Sequence, residues 1–444
     1  MRDSASPAPT TPHGTSLLRT LRRHWALVLL TVLLTGAVTI VALNFTTGEK
    51  KIEEAIPRLY DVRDPQFERV MGVLLGPPIV GGNRYEALRN GDEIFPAMLA
   101  AIRAARHSIN FETYIYWSGD IGRAFASALA ERARAGVHVH VMLDWLGSEK
   151  IDPKLVDEMR SAGVTVVRYH PIRWYTLARL NNRTHRKVLV VDGRVGFTGG
   201  VGIAPEWTGH AQDPAHWRDT HFRLEGPAVA QMQAVFLDNW IKTTGRVLHG
   251  PDYFPALQPV GDGAAQVFMS SPSGGAESMH LMYLLSITAA QRSIDLSMAY
   301  FVPDELAVKA LREAMARGVR LRLITPGPIT DTETVRKASK ALWGELLQAG
   351  AEIYEYQPTM YHCKVMIVDG FLTSVGSTNF DDRSFRLNDE ANLNIYDAAF
   401  AAEQVTIFAA DLAKSRRITL AEWQARPTTE KLLEQLASIL GSQL

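Results

Sequence analysis

Two short runs of this chain carry the same chemistry. His185, Lys187 and Asp192 read HxKxxxxD, and His362, Lys364 and Asp369 read it again, each gap filled by four apolar residues. Residues two apart on a strand share a face, so each histidine and its lysine point the same way. Two imidazoles and two ammonium groups that converge suit a phosphodiester. The lysines offset charge on non-bridging oxygens, one neutral imidazole attacks phosphorus, and the other protonates the departing alkoxide. That scheme requires no metal and no cofactor. A single HxK is also what a surface histidine beside a solvated lysine looks like; two copies in register favour the catalytic reading.

Beyond each pair the chain turns through small residues, Thr198-Gly199-Gly200 and Val375-Gly376-Ser377-Thr378-Asn379. Glycine, as at Gly200, permits backbone amides to approach phosphate oxygens, and Ser377 and Asn379 offer further donors. Further on, Asp219 and Glu390 are placed to accept the second ring proton of His185 and His362 respectively, fixing tautomer and orientation. A surface salt bridge is the competing account of each carboxylate.

The elements that must position these residues are also written twice. Residues 104–197 and 289–373 follow one order of segments: AARHSINFETYIY and AAQRSIDLSMAYF, then ALAERARAGVHVHVMLD and ALREAMARGVRLRLITP, then MRSAGVTVVRYHP and LLQAGAEIYEYQP. Gly136 and Gly318 sit where helices end. Strands alternating with helical stretches, and apolar runs such as VLVV and VMIV, predict an α/β fold with largely parallel strands buried on both faces. Two such units packed about a pseudo-twofold axis would draw like residues into one site.

The rest of the chain frames that core. At 444 residues and 46% hydrophobic content there is room for two or three domains. Lysine plus arginine balances aspartate plus glutamate at 47 each, which argues against bulk electrostatic binding of nucleic acid. A single cysteine, Cys363, excludes an internal disulfide framework, and no Cys/His cluster has zinc-site spacing. Residues 1–24 form a Pro/Ser/Thr-rich tail expected to be disordered, and 25–45 carry no charge over about 31 Å of helix, the thickness of a bilayer core. Arg19, Arg22 and Arg23 before that segment favour a cytoplasmic N-terminus, a single-pass anchor in the cell membrane and an extracytoplasmic body. A linker over 46–82 then leads to a first unit over 83–250 and a second over 251–444. The stretch from Tyr169 to Arg183, with Arg173, Trp174, Tyr175, Leu177 and Arg179, has the composition of an interfacial loop or of an ordinary inter-strand loop. Leu432, Leu433, Leu436, Ile439 and Leu440 recur at helical spacing and predict a core-packed C-terminal helix.

The paired motifs resemble those of the phospholipase D superfamily, whose duplicated HKD signature matches His185/Lys187/Asp192 and His362/Lys364/Asp369 position by position. YHCKVMIVDGFLTSVGSTNFDDRSFRLNDEANL is similar to bacterial cardiolipin synthases in particular, with support from NFETYIYWSGDIG, HRKVLVVDGRVGFTGG, WRDTHFRLEGPAV and MAYFVPD. The resemblance runs from about Asn83 to the end. It implies two tandem phospholipase D-like domains and transfer of a phosphatidyl group, typically two phosphatidylglycerols giving cardiolipin and glycerol, through a covalent phosphohistidine. It also implies phosphate contacts from Ser377 and Asn379, support from Glu390 for its histidine, and His185 as nucleophile with His362 as acid and then base. One departure stands out: Gly202 occupies a place where the family commonly has asparagine, so the halves should contribute unequally. A hydrolase of the same superfamily and a catalytically dead lipid-binding protein are the rival readings.

Overall fold

The computed structural model describes residues 16–45, 52–171, 181–272 and 277–439. The tail expected over 1–24 lies mostly outside them, as do residues 172–180 of the proposed interfacial loop. A helix spans Ser16–Phe45, and its described side chains from His24 to Thr39 are exposed. Among the described residues no helix is long and apolar enough to cross a membrane. The expected 25–45 span runs beyond them, because the side chains of residues 41 and 43–45 are outside the described set.

One sheet runs through both repeats, and its strand order is a mirror about the middle. The central pair is Val80–Arg89 against Gly263–Ser270, antiparallel. Outward from the first of these lie Thr220–Glu225, Val195–Gly199, Val188–Val191, Ser108–Thr113, His138–Asp144 and Thr165–Tyr169. Outward from the second lie Asn388–Tyr396, Leu372–Gly376, Lys364–Val368, Ser293–Met298, Arg320–Pro326 and Glu352–Tyr356, with Ser415–Ile418 added at that edge.

In each repeat three successive strands are parallel, Ser108–Thr113 to Thr165–Tyr169 and Ser293–Met298 to Glu352–Tyr356; the motif-bearing strand, those inside it and the edge strand Ser415–Ile418 are antiparallel. The expectation of a largely parallel sheet therefore holds for half of each unit. The cause is a tight turn after each motif strand. Asp192-Gly193 and Asp369-Gly370 have φ of 53°, 60°, 54° and 60°, the left-handed pair that sends a strand straight back as a hairpin.

Two apolar clusters belong to single repeats, but a third draws from both, with Val188, Val190, Phe222 and Trp240 packed among Val267, Ile324, Tyr356, Tyr361 and Val365. Each such buried side chain contributes roughly 1.5–3 kcal/mol, so this shared core binds the repeats into one body. The expected linker over 46–82 is also largely structured. Pro65–Leu74 is a helix capped by Asp64, and Val62, Phe67, Met71 and Leu75 are buried in the second unit's core. Phe67 and Met71 one turn apart give this helix a buried face that a linker would lack.

The C-terminal helix Thr428–Ile439 corrects another expectation. Leu432, Leu433 and Leu436 are exposed, while Glu434 and Ala437 are the buried positions. Glu434 is held by Arg426 at 2.5 Å and Lys340 at 3.3 Å, and these ion pairs rotate the leucine face outward.

Candidate active site

Each HxK histidine lies just ahead of its strand, where the chain crosses to the other repeat. Arg183 and Thr184 pair in parallel with Asn388 and Asp389, and the amide of His185 donates to the Asp389 carbonyl at 2.9 Å. In the mirror position Tyr361 bridges to Arg218, and the amide of His362 donates to the Arg218 carbonyl at 2.8 Å. Both histidines consequently line one cavity of about 320 Å³, along with Lys187, Asn379, Asn388, Gly202, Arg183 and Arg383.

The crossing exchanges the carboxylates. His185 Nδ1 lies 2.9 Å from Glu390, and His362 Nδ1 lies 2.7 Å from Asp219, so each imidazole is oriented by the other repeat. The expected pairing of Asp219 with His185 and Glu390 with His362 is corrected. Both acids occupy equivalent strand positions, and the parallel bridges carry each histidine over to the opposite one. With Nδ1–H donated to a carboxylate, the Nε2 of His185 keeps its lone pair for the cavity, whereas the Nε2 of His362 also lies 3.2 Å from Lys364 Nζ.

The two pairs differ in charge. Burial, with Lys187, Lys364 and His362 adding, holds His185 well below the ordinary histidine range, and burial lifts Glu390 to about 7 despite Lys187 and Ser377. His185 is therefore uncharged at neutral pH and Glu390 is near the midpoint of its titration, although the distance alone would pass for an ion pair. Burial also lowers His362, with Lys364 adding and Asp219 opposing. Burial raises Asp219, but His362 and Lys364 outweigh it and leave the carboxylate below its usual range. Asp219 thus keeps a negative charge beside His362 that offsets part of the effect of burial, so His362 is lowered less far than His185.

Both lysines are buried and drawn down by it, Lys187 well below its ordinary value, although Glu390 and Asp219 oppose the shift. Lys187 donates to the His185 carbonyl at 2.7 Å, and Lys364 to the His362 carbonyl at 2.8 Å. A phosphate between them restores their charge.

Other expected site residues have different occupations. Asp192 accepts the amides of Arg106, His107 and Ser108, and Asp369 those of Gln291, Arg292 and Ser293. Each lies five residues past its lysine, roughly 17 Å along a strand, so it buttresses the hairpin turn and does not touch the reacting centre. The Gly200 amide is spent on the Thr220 carbonyl at 3.3 Å, and a Cβ there would meet Asp219 Oδ1 at 2.3 Å. Gly200 makes room for the carboxylate and has no amide left for phosphate. The Ser377 hydroxyl donates to Glu390 and accepts from the Ala391 amide at 3.0 Å, which makes it an orienting partner of Glu390. Asn379 does line the cavity, and its Oδ1 is buried without a partner.

Position 202 mirrors 379, and a Cβ at Gly202 would meet Ile115 at 2.9 Å and the Trp207 ring at 3.2 Å. Aromatic groups fill the place of the missing asparagine. Trp207 donates from Nε1 to Asp219 at 2.9 Å, and Trp207 and Trp217 flank His362 with centroids at 5.3 and 5.5 Å. Sequence reasoning also missed Tyr300, Asp331 and Thr332 on the cavity wall, and Asn388 beside Glu390. Tyr300 falls in the repeated segment AAQRSIDLSMAYF but stands opposite Ile115, and the others belong to no repeated segment, so spacing carried no signal for them. Among the described residues no cluster of three or more His, Cys, Asp or Glu is arranged to hold a metal.

Comparison with known proteins agrees with this geometry. The family model described as "Cardiolipin synthase, PLD-like domain" matches residues 98–239 and 283–412. A cardiolipin synthase of Geobacillus kaustophilus (strain HTA426) is 37% identical over 370 residues, covering 83% of this chain and 74% of the relative. Cardiolipin synthase 2 of Bacillus anthracis is 35% identical over 360 residues, covering 80% and 70%. The crystal structure of phosphatidylserine synthase from Haemophilus influenzae Rd KW20 superposes with a TM-score of 0.67 at 13% identity, covering 86% of this chain and all of that one, a likeness of fold. Two family matches fall on the two repeats whose histidines meet in one cavity, and the chain belongs to the cardiolipin synthase family of phospholipase D-like proteins.

Proposed function

We propose that this protein is a phosphatidyltransferase that converts two phosphatidylglycerols to cardiolipin and glycerol. The observation that carries the reading is the pair of imidazoles, one from each repeat, facing one cavity with a carboxylate on each Nδ1. Neutral His185 attacks phosphorus through Nε2. The bond to the headgroup glycerol oxygen breaks as protonated His362 supplies its proton, leaving a phosphohistidine. His362 then takes the proton of an acceptor hydroxyl, whose oxygen attacks phosphorus and releases His185. Lys187 and Lys364 offset charge on the non-bridging oxygens throughout.

Transfer is favoured over hydrolysis by the wall of the cavity. Tyr114, Ile115, Leu146, Trp207, Trp217 and Val335 line it, and an apolar surround disfavours water as the resolving nucleophile. Incubating the purified chain with phosphatidylglycerol and separating the lipids tests the reading. Cardiolipin plus glycerol is expected; phosphatidic acid plus glycerol would make it a hydrolase, and no turnover a lipid-binding protein. The uncharged run over 25–45 within the helix Ser16–Phe45, with arginines ahead of it, supports a membrane anchor with a cytoplasmic N-terminus. Protease protection on intact cells should show the body accessible from outside.

A further inference from the structure

The cavity holds more positive charge than one phosphodiester needs. Besides Lys187, and with Lys364 behind His362, it is lined by Arg183 and Arg383, which reach it from opposite repeats. Burial depresses Arg183, Asp144 and Tyr114 oppose that, and Arg383 is near enough to add to the depression. The scaffold holds both guanidinium groups in place. Arg383 donates to the side chain and carbonyl of Asn181 at 2.7 and 3.2 Å, and Arg183 stacks on Trp145 at 5.1 Å. Two like charges fixed on one wall lose their mutual repulsion when an anion sits between them, and guanidinium planes suit phosphate oxygens.

A second observation comes from two asparagines of the same cavity. Asn379 and Asn388 both line the cavity, are 4% and 5% exposed, and have Oδ1 atoms without a partner. Buried acceptors left in this way are satisfied by a donor that arrives with the ligand. A glycerol headgroup supplies hydroxyls of that kind.

We propose that Arg183 and Arg383 form a second phosphate subsite, which takes the intact phosphodiester of the acceptor lipid, with Asn379 and Asn388 receiving hydroxyls of its glycerol headgroup. The proposal rests on the transfer reading above and names the acceptor class, an anionic phospholipid with a polyol headgroup. Both phosphates of the product then lie in one cavity, one on the lysines and histidines and the other on the arginines. A neutral alcohol can resolve the phosphohistidine too, but gains nothing from the arginines.

The test is a partition. The full-length protein is given phosphatidylglycerol in neutral-detergent micelles together with ethanol, and cardiolipin and phosphatidylethanol are measured from the same reaction. Both products come from one intermediate, so their ratio cancels any loss in the first step or in the folded fraction. Arg183→Gln and Arg383→Gln should each lower the cardiolipin to phosphatidylethanol ratio about tenfold or more, the usual effect of one charge-assisted contact. Arg183→Lys and Arg383→Lys should recover part of it. Added inorganic phosphate should lower the ratio in the wild type and less in the glutamine variants, which separates a general phosphate subsite from one reached only by lipid. A ratio unchanged in both glutamine variants overturns the subsite. A wild type that makes phosphatidylethanol and phosphatidic acid but no cardiolipin overturns the transfer reading instead.

Discussion

The Tyr114 ring packs edge-on to His185 at 5.3 Å, but the groups that support its carboxylate are polar. Glu390 accepts from Ser377 and Asn388 as well as from the imidazole, Asn379 faces the cavity, and Arg186 runs behind, donating to the Glu390 carbonyl at 3.3 Å and to Asp238 at 3.0 Å. Around His362 they are aromatic or absent: Gly200 and Gly202 replace Ser377 and Asn379, Trp207 takes over the hydrogen bond to the carboxylate, and Cys363 stands where the other repeat has Arg186. The same imidazole, lysine and carboxylate are thus kept in two environments. Burial lowers both imidazoles, but the one at 185 falls further and faces a carboxylate raised to about 7, while the one at 362 faces a carboxylate held low; groups set apart in this way divide nucleophile from acid.

The largest expected effects test that division directly. His185→Ala and His362→Ala should each reduce turnover of phosphatidylglycerol by about 10³-fold or more. With a nitrophenyl phosphatidyl ester, whose leaving group needs no proton, His362→Ala should regain a burst of nitrophenol and His185→Ala should not. A burst from His185→Ala alone would reverse the roles.

Next come the carboxylates. Glu390→Gln and Asp219→Asn should each cost about 10²-fold in kcat, within the range for loss of a group that orients a catalytic imidazole. Their pH profiles should differ. As pH falls through about 7, Glu390 takes up a proton and ceases to accept from His185, so the wild type should show an acid limb near 7. Glu390→Gln should flatten that limb, whereas Asp219→Asn, whose carboxylate is held low, should leave it in place. Stability shifts with the opposite sign. Glu390 is raised from 4.5, so the stability associated with its neutral form is present below 4.5 and lost as pH rises through about 7. The Tm of the wild type should therefore fall more between pH 5 and pH 8 than that of Glu390→Gln.

A smaller effect probes the asymmetry at the paired turns. Gly202→Asn restores the residue of the other repeat but places its Cβ against Ile115 and Trp207. It should lower stability by about 1–3 kcal/mol in denaturant titration and lower activity as well. A gain in activity would show that Trp207 does not occupy the asparagine's place. The smallest effect on chemistry belongs to Asp192→Asn and Asp369→Asn. Both should lower Tm to a similar extent, about 1–3 kcal/mol each for amides left unpaired, while kcat of the folded fraction stays near wild type. A loss of kcat in only one would give that aspartate a role beyond its turn.

The catalytic pairs were legible because the repeat wrote them twice at one spacing, and a period of two puts His and Lys on one face whatever the surrounding fold. Which carboxylate serves which histidine was not legible. That depends on Thr184 and Tyr361 crossing to the opposite repeat, pairings between residues about 140 to 200 positions apart with no local signature. The sheet's direction was half legible. The apolar runs announced buried strands, but the Asp-Gly turns at 192–193 and 369–370, a hairpin signal in plain view, were read as part of a catalytic triplet. The C-terminal leucines misled because periodicity shows that a helix has two faces; the buried Glu434, held by Lys340 and Arg426, decides which one packs.

The exchange of carboxylates has a consequence for inheritance. A single repeat holds an imidazole and an acid that never meet, so an unduplicated ancestor would have worked only as a reciprocal homodimer, each copy completing the other. Once the two were fused in one gene, a change at position 390 was felt by the histidine at 185 and a change at 219 by the one at 362. Neither half can therefore be altered at its acid without altering the imidazole of the other.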